Sequence, residues 1–401
     1  MTAATNVMAL ETDHVLQVYR RGPVVFERGR GCRLFDAEGR GYLDFISGVG
    51  VASLGHAHPR LAAAIAEQAS TLVHTSNLFY HPLQGEVAAR LASLSGLPRA
   101  FFCNSGTEAV EACLKFARRY WYAQGKQRPN FVAFEHAFHG RSMGSLSVTW
   151  DEHYRAPFAP LLGDVRFVPA GDAAALRDAV TDETAAVIVE PLQGEGGVRP
   201  LDRGAVAAIA EACERTGALL IADEIQCGLG RTGHPFYSAV LGLKPDLMAI
   251  GKALGGGVPV GAAMFSARVA AAAAFGDHGS TYGGNLLACR AALVFLEELI
   301  DHGLLASVVR AGERFEAGLR KIAARHPHVR VVRGAGLIWG IDLDRPALPV
   351  VEAALRAGLL VNRTAETVVR LLPPYVISPE EIDEGLALLD QAIGSVAGGA
   401  A

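Results

Sequence analysis

Six short apolar runs punctuate the middle of the chain: Ala100–Cys103, Phe131–Phe134, Val165–Val168, Ala185–Val189, Ala218–Ala222 and Leu247–Ile250. Runs this short, apolar on both alternations, read as strands buried on both faces. Helical patterns lie between several of them. From Ala109, small or apolar residues recur at Ala112, Cys113, Phe116, Ala117 and Tyr120, a 3.6-residue period. Asp202 is placed to cap a helix over Arg203–Thr216, with Val206, Ile209 and Cys213 inward and Gly217 as its stop. Alternating strands and helices imply an α/β fold, a mostly parallel sheet flanked by helices.

The last third reads differently. Two long helical blocks, 286–302 and 304–326, lead into short strands near 329–333 and 337–343. A final helix follows Ser378-Pro379-Glu380-Glu381, a capping box with proline in the first turn. This predicts a smaller α+β domain over 286–401. Residues 1–60 are expected to join it, and 61–285 to form the large domain.

Composition narrows the function classes. Half of the 401 residues are hydrophobic and 19% are charged, so disorder is excluded as the main state. The formal net charge is −4 and no Lys/Arg run occurs, so no nucleic-acid partner is expected. The longest apolar candidate, 258–275, is broken by Pro259 and Arg268, and the N-terminus lacks a secretory pattern. The expectation is a cytoplasmic protein without a membrane partner. Six cysteines without C-x-x-C spacing read as reduced thiols. His136 and His139 lack a third ligand pattern, so a structural role is expected and no metal. His56 and His58 lead into a helix starting at Pro59. Phe79-Tyr80 and Trp121-Tyr122 read as packing aromatics.

In open parallel sheets, ligands bind at the carboxyl ends of the strands. Those ends here carry Asn104-Ser105-Gly106-Thr107, Glu190, Asp223-Glu224 and Gly251-Lys252. Ser105-Gly106-Thr107-Glu108 has capping-box spacing and opens a helix; it is either an ordinary cap or a phosphate cradle. Lys252 is either a strand-end lysine facing water or a desolvated amine able to attack a carbonyl. Asp223 is either a turn acid or a partner for a protonated ring nitrogen. An amine for an aldehyde, a helix start for a phosphate and an acid for a ring nitrogen together describe pyridoxal 5′-phosphate (PLP).

With these residues in view, the chain resembles the class-III (ω-) aminotransferases, fold-type I PLP enzymes, and among them the acetylornithine aminotransferases. The resemblance rests on long segments in matching order, including FFCNSGTEAVEACLKFARRY (101–120), EHAFHGRSMGSLSVT (135–149), LLIADEIQCGLGRTG (219–233), PDLMAIGKALGGGVPVGA (245–262) and HGSTYGGNLLAC (278–289). It implies that Lys252 carries the cofactor aldehyde and shuttles the substrate proton, and that Asp223 pairs with the ring nitrogen. It implies that Gln226 bonds the ring hydroxyl with Glu190 behind it, that Phe138 stacks on the ring and that Gly106 and Thr107 hold the phosphate. Glu224 and Ile225 count among the cofactor contacts. Ser280 and Thr281 would reach in from a second subunit, Thr281 to the phosphate, so the site would need a homodimer.

The same resemblance gives Arg141 the substrate carboxylate remote from the reacting amine, and Arg370 the α-carboxylate of glutamate or 2-oxoglutarate. Glu195 would neutralise Arg370 when an ω-amine occupies the site. For Arg141, Arg370 and Glu195, structural or surface roles remain open at this point. Val49 stands where relatives acting on free ornithine look to carry a tyrosine; a small apolar residue fits an N-acylated ornithine and also 4-aminobutyrate-type donors. The implied reaction passes the 5-amino group of N2-acetyl-L-ornithine to 2-oxoglutarate. The alternatives are donors such as succinylornithine, ornithine, a carrier-bound lysine precursor or 4-aminobutyrate, or a PLP-binding protein without turnover.

Overall fold

The computed structural model describes residues 3–396. Near the N-terminus, β1 (Phe26–Arg30), β2 (Arg33–Asp36) and β3 (Gly41–Asp44) form an antiparallel meander. The apolar runs follow as β4 (Arg99–Cys103), β5 (Asn130–Phe134), β6 (Val165–Val168) and β7 (Thr184–Val189). A short hairpin comes next, β8 (Leu192–Gln193) and β9 (Arg199–Pro200), then β10 (Leu219–Asp223) and β11 (Leu247–Ile250). A strand that the apolar pattern did not reveal, β12 (Gly261–Phe265), completes the central sheet.

The seven strands run in the order β4-β12-β11-β10-β7-β5-β6. Only β12 is antiparallel to its neighbours; the remaining pairs are parallel. Gly-Ala-Ala-Met-Phe is a weak strand former by propensity. It is a strand because β4 and β11 flank it, and buried backbone groups must be paired. Every residue of β5, β7, β10 and β11 is buried, which explains why these strands show no polar alternation.

Helices cover both faces. Gly106–Ala123 packs on one through Val110, Cys113, Ala117 and Trp121. Arg203–Thr216 packs on the other through Ala205, Ile209 and Ala212, with Val206 and Cys213 on the flank of that stripe. The Asp202 carboxylate accepts from the Ala205 amide at 2.7 Å, and Gly217 closes the helix at φ +73°. The helix start at Ser105 differs from a full capping box. Ser105 Oγ accepts from the Glu108 amide (3.3 Å), but Glu108 reaches back to the amide of Asn104 rather than that of Ser105.

In the last third, Leu286–Leu296 is α-helical and passes into a π-helical turn over Glu297–Asp301, where one continuous helix was expected. A helix over Leu304–Arg325 follows. Then come β13 (Val329–Ala335), β14 (Ile338–Leu343), β15 (Leu359–Leu360), β16 (Asn362–Thr364) and β17 (Val368–Leu371). Four of them form a sheet in the order β13-β14-β17-β16, while β15 pairs in parallel with β3. The final helix, Pro379–Ser395, has both arms of its capping box, Ser378 and Glu381.

One packing expectation fails. Trp121 is buried, but Phe79 and Tyr80 are 70% and 105% exposed and Tyr122 also faces out. Phe79 and Tyr80 follow a turn at Asn77-Leu78, and the described chain leaves most of Phe79 and all of Tyr80 uncovered. Among the described residues, no helix is long and apolar enough to cross a membrane, and no group of three or more His, Cys, Asp or Glu side chains is placed to hold a metal ion.

Candidate active site

Because β4, β7, β10 and β11 are mutually parallel in direction, their carboxyl ends gather on one edge of the sheet. A cavity of about 290 Å³ opens there. Lys252, Asp223, Glu190, Gly106, Thr107, Phe138, Arg141, Glu195, Ile225 and Gln226 all line it. A larger space of about 510 Å³ lies outside and shares Phe138 and Glu195 with it.

Lys252 follows β11 at φ +42°, a left-handed conformation uncommon for a residue with a side chain. A Cβ on the preceding Gly251 would lie 3.1 Å from the Gly106 Cα, so the lysine's strand end sits directly on the helix start at Gly106. Burial pulls the Lys252 amine below the ordinary lysine value, while Glu195 and Asp223 oppose that pull.

Asp223 closes β10. Its Oδ2 is 2.7 Å from His139 Nδ1, and its Oδ1 accepts from the Ile225 amide at 3.1 Å. Both side chains are buried, and His139 Nε2 has no partner among the described residues. Glu190 closes β7 and joins two loops: its carboxylate accepts from the Phe138 amide (2.9 Å) and from the Gly194 amide (3.0 Å). Burial pushes the Glu190 carboxyl up to about 7, with His139 pulling it down and Asp223 adding to the rise.

At the helix start, Thr107 Oγ1 is 2.8 Å from Ser142 Oγ and 2.6 Å from Ser145 Oγ. Gly140 allows this approach, since a Cβ there would fall 2.4 Å from Thr107 Oγ1. Glu111 accepts from Ser142 Oγ and from the amides of Gly144 and Ser145, fixing the second wall of the cluster. Arg141 leaves this loop with its guanidinium 3.6 Å above the Tyr154 ring and 5.5 Å from that of Phe138.

Arg370, on β17, is 1% exposed and bonds Glu195 Oε1 at 2.5 Å and Gln226 Oε1 at 3.1 Å. Burial raises the Glu195 carboxyl, but Arg370 beside it outweighs that and holds it below the ordinary glutamate value. A Cβ on Gly194 would overlap the Gln226 amide as it stands, so Gly194 leaves room for the Gln226–Arg370 contact.

Two groups of expected residues stand elsewhere. The Glu224 carboxylate turns away from the cavity, accepting from the Ser238 amide at 2.6 Å and from Cys227 Sγ at 3.1 Å. Successive side chains at a strand end point in opposite directions, so Asp223 and Glu224 cannot share a face. Glu224 therefore brings no side chain to the cavity. Ser280 and Thr281 do not line this chain's own cavity; Ser280 Oγ accepts from the Gly283 amide at 3.0 Å and Thr281 is exposed. Conversely, the sequence reading gave no site role to His139, Ser142, Ser145 or Tyr154. The hydroxyl spacing of Ser142 and Ser145 after Gly140-Arg141 was the available signal.

Comparison with known proteins agrees with this arrangement. The acetylornithine aminotransferase of Methanocaldococcus jannaschii is 42% identical over 98% of both chains. A solved ornithine aminotransferase from Toxoplasma gondii, described as having partial occupancy of PLP at its active site, is 33% identical with a TM-score of 0.94, covering 98% of this chain and 95% of that one. A solved N-acetylornithine aminotransferase from Stenotrophomonas maltophilia is 34% identical with a TM-score of 0.83, covering 97% and 99%. Residues 17–393 match the family model described as aminotransferase class-III, and the chain belongs to that family, with the α/β architecture of the fold-type I PLP-dependent transferases.

Proposed function

We propose that this chain is a PLP-dependent aminotransferase that passes the 5-amino group of N2-acetyl-L-ornithine to 2-oxoglutarate, giving N-acetyl-L-glutamate 5-semialdehyde and L-glutamate, a step of arginine biosynthesis. The observation that carries it is the Glu195–Arg370 pair at the cavity of Lys252: Glu195 lines that cavity and neutralises the buried cation behind it, beside an amine whose proton affinity burial lowers.

The residues fit the cofactor. The closeness of Gly251 to Gly106, and the Thr107, Ser142 and Ser145 hydroxyls, leave a helix start suited to a phosphate. The buried Asp223 carboxylate, oriented by His139, suits a protonated ring nitrogen. Lys252, Asp223, Gly106, Thr107, Phe138, Ile225 and Gln226 would hold the group. When bound, PLP supplies an aldehyde that exchanges amines and a ring that accepts the electrons released at the substrate carbon.

The chain's own residues do the rest. Lys252 Nζ takes the proton from the amine-bearing carbon of the donor and later returns one. Arg141 grips the carboxylate remote from that carbon, a task suited to a bidentate guanidinium. With N-acetylornithine bound, Glu195 keeps Arg370 neutralised. With glutamate or 2-oxoglutarate bound, the α-carboxylate takes Arg370 and Glu195 withdraws. A Cβ on Gly50 would lie 3.9 Å from the Lys252 side chain; Val49, its neighbour in sequence, would then offer the donor a small apolar residue with no hydrogen bond for a free α-amine. The exposed Leu78, Phe79 and Tyr80 support a homodimer, in which Ser280 and Thr281 would serve the neighbouring copy's site. A cytoplasmic location accords with this assignment.

The test is kcat/KM with 2-oxoglutarate across N-acetylornithine, succinylornithine, ornithine and 4-aminobutyrate. N-acetylornithine is expected among the best donors, and the substrate assignment fails if it is not. The kinetics should be ping-pong.

A further inference from the structure

The segment that carries Glu195 is gripped at three consecutive carbonyls by three side chains. Thr364 Oγ1 donates to the Glu195 carbonyl, Arg199 Nε to that of Gly196 at 2.7 Å, and Arg333 Nε to that of Gly197 at 2.7 Å. Arg333 is itself fixed by Asp342 at 2.9 Å, and the other oxygen of Asp342 accepts from Thr367 Oγ1 at 2.8 Å. Thr364 ends β16 and Thr367 precedes β17, the strand that presents Arg370. The sheet that holds the arginine therefore also holds the backbone of its acid.

Neither segment would keep its conformation unaided. Gly197 has φ +100° and Val198 φ +54°, and a β-branched residue in the left-handed region is a genuine outlier. Across from it, Ala365 and Glu366 turn the β16–β17 hairpin at φ +44° and φ +58°, positions where Asn-Gly would be unstrained. Strain of this kind persists only where surrounding contacts over-determine it. Meanwhile the Glu195 side chain is 35% exposed against 1% for Arg370. The acid is free to swing into the cavity, while the arginine is not free to leave; the grip on the carbonyls fixes the point from which the acid swings.

Resting on the reading above, we infer that Thr364 and Arg333 are positioning residues that set the strength of the Glu195–Arg370 pair, and so the balance between ω-amine donors and dicarboxylates. Loosening the grip weakens Glu195 as a competitor for Arg370. Dicarboxylates then bind more tightly, and the ω-amine donor meets a less well neutralised cation. A merely structural role would move both arms in the same direction.

The experiment compares Thr364→Val, which loses the hydroxyl, with Thr364→Ser, which keeps it, and adds Arg333→Gln. Glutarate, an unreactive five-carbon dicarboxylate, is titrated calorimetrically into the cofactor-loaded protein, and kcat/KM for N-acetylornithine is measured in parallel. For one lost hydrogen bond, glutarate should bind about three- to tenfold tighter to Thr364→Val, with a comparable fall in kcat/KM for the donor. Arg333→Gln should move both in the same sense, and Thr364→Ser should stay within about twofold of the parent. Unchanged glutarate affinity in Thr364→Val, or equal losses in both arms, overturns the inference. A parent protein that ignores N-acetylornithine defeats the substrate assignment instead, and the glutarate titration still decides the role of Thr364.

Discussion

Arg141 lines the cavity and Arg370 stands behind it, bonded to two of its lining residues, and the two are in opposite physical states. Arg141 is exposed, its guanidinium laid over the rings of Tyr154 and Phe138. Arg370 is almost wholly buried and is bonded to Glu195, Gln226 and Asn362. Water and ring faces suffice to keep a cation at the first position. At the second, desolvation makes an unpaired charge costly, and Glu195 accompanies it. On the proposed function the difference has a consequence: Arg141 would wait for a carboxylate in one state, whereas Arg370 would alternate between an internal and an external one.

The largest expected effect sets the floor for this contrast. Lys252→Ala should lower turnover by at least about a thousandfold, the scale of a lost proton-transfer group, while the protein still holds PLP and glutarate affinity stays within about twofold, because both arginines remain. Near-normal turnover in that variant would overturn the site. Loss of glutarate binding along with turnover would show that the arginines depend on the amine.

Arg370→Ala and Arg141→Ala should then separate. The first should raise KM for 2-oxoglutarate by about thirtyfold or more and lower Tm, since it leaves Glu195 without its partner. The second should raise KM for both 2-oxoglutarate and N-acetylornithine by about tenfold or more with little change in Tm, since an exposed group is lost. Equal Tm losses would erase the distinction between the two positions. Unchanged KM values in Arg141→Ala would mean that another residue takes the remote carboxylate.

Glu195→Gln should sharpen the alternation at Arg370 further. Glutarate should bind about three- to tenfold tighter and N-acetylornithine should react more slowly. The pH dependence has a definite sign. A carboxyl held below its ordinary value contributes stability that is present above about pH 4.5 and is lost as pH falls through the lowered folded value. Glu195 therefore stays charged at neutral pH, and the ratio of glutarate affinity to donor kcat/KM should show no Glu195 titration between about pH 5 and about pH 8. A break in that ratio near neutrality, absent from Glu195→Gln, would show that the acid is not held as described.

What could be read in advance follows the same division between local and distant contacts. The strands of the central sheet were legible because burial on both faces writes a continuous apolar run, as in Phe131–Phe134 and Leu247–Ile250. Strand β12 was not, because its Gly-Ala-Ala-Met-Phe segment takes strand form from its two neighbours rather than from its own residues. Lys252, Asp223 and Glu190 stood out as polar residues ending apolar strands. Glu224 turns its carboxylate away from the side that Asp223 faces, an alternation that sequence adjacency hides. The His139–Asp223 pair and the grip of Thr364 on Glu195 join residues 84 and 169 positions apart, and only the fold brings them together.

The smallest expected effect concerns what holds Arg141 in place. A cation over an exposed aromatic ring is worth about 0.5–1 kcal/mol, or roughly two- to fivefold in binding. Tyr154→Leu should therefore raise KM for 2-oxoglutarate and N-acetylornithine together by about that factor, through looser placement of the guanidinium. Tyr154→Phe keeps the ring and should stay near the parent, since the stacking at 3.6 Å involves the face and not the hydroxyl. Neither change should alter the competition between Glu195 and a dicarboxylate at Arg370, so the relative preference for the two substrates should stay constant. A loss in Tyr154→Phe equal to that in Tyr154→Leu would move the contact from the ring to the hydroxyl, and a shift in preference would show that the two arginines are coupled rather than independent.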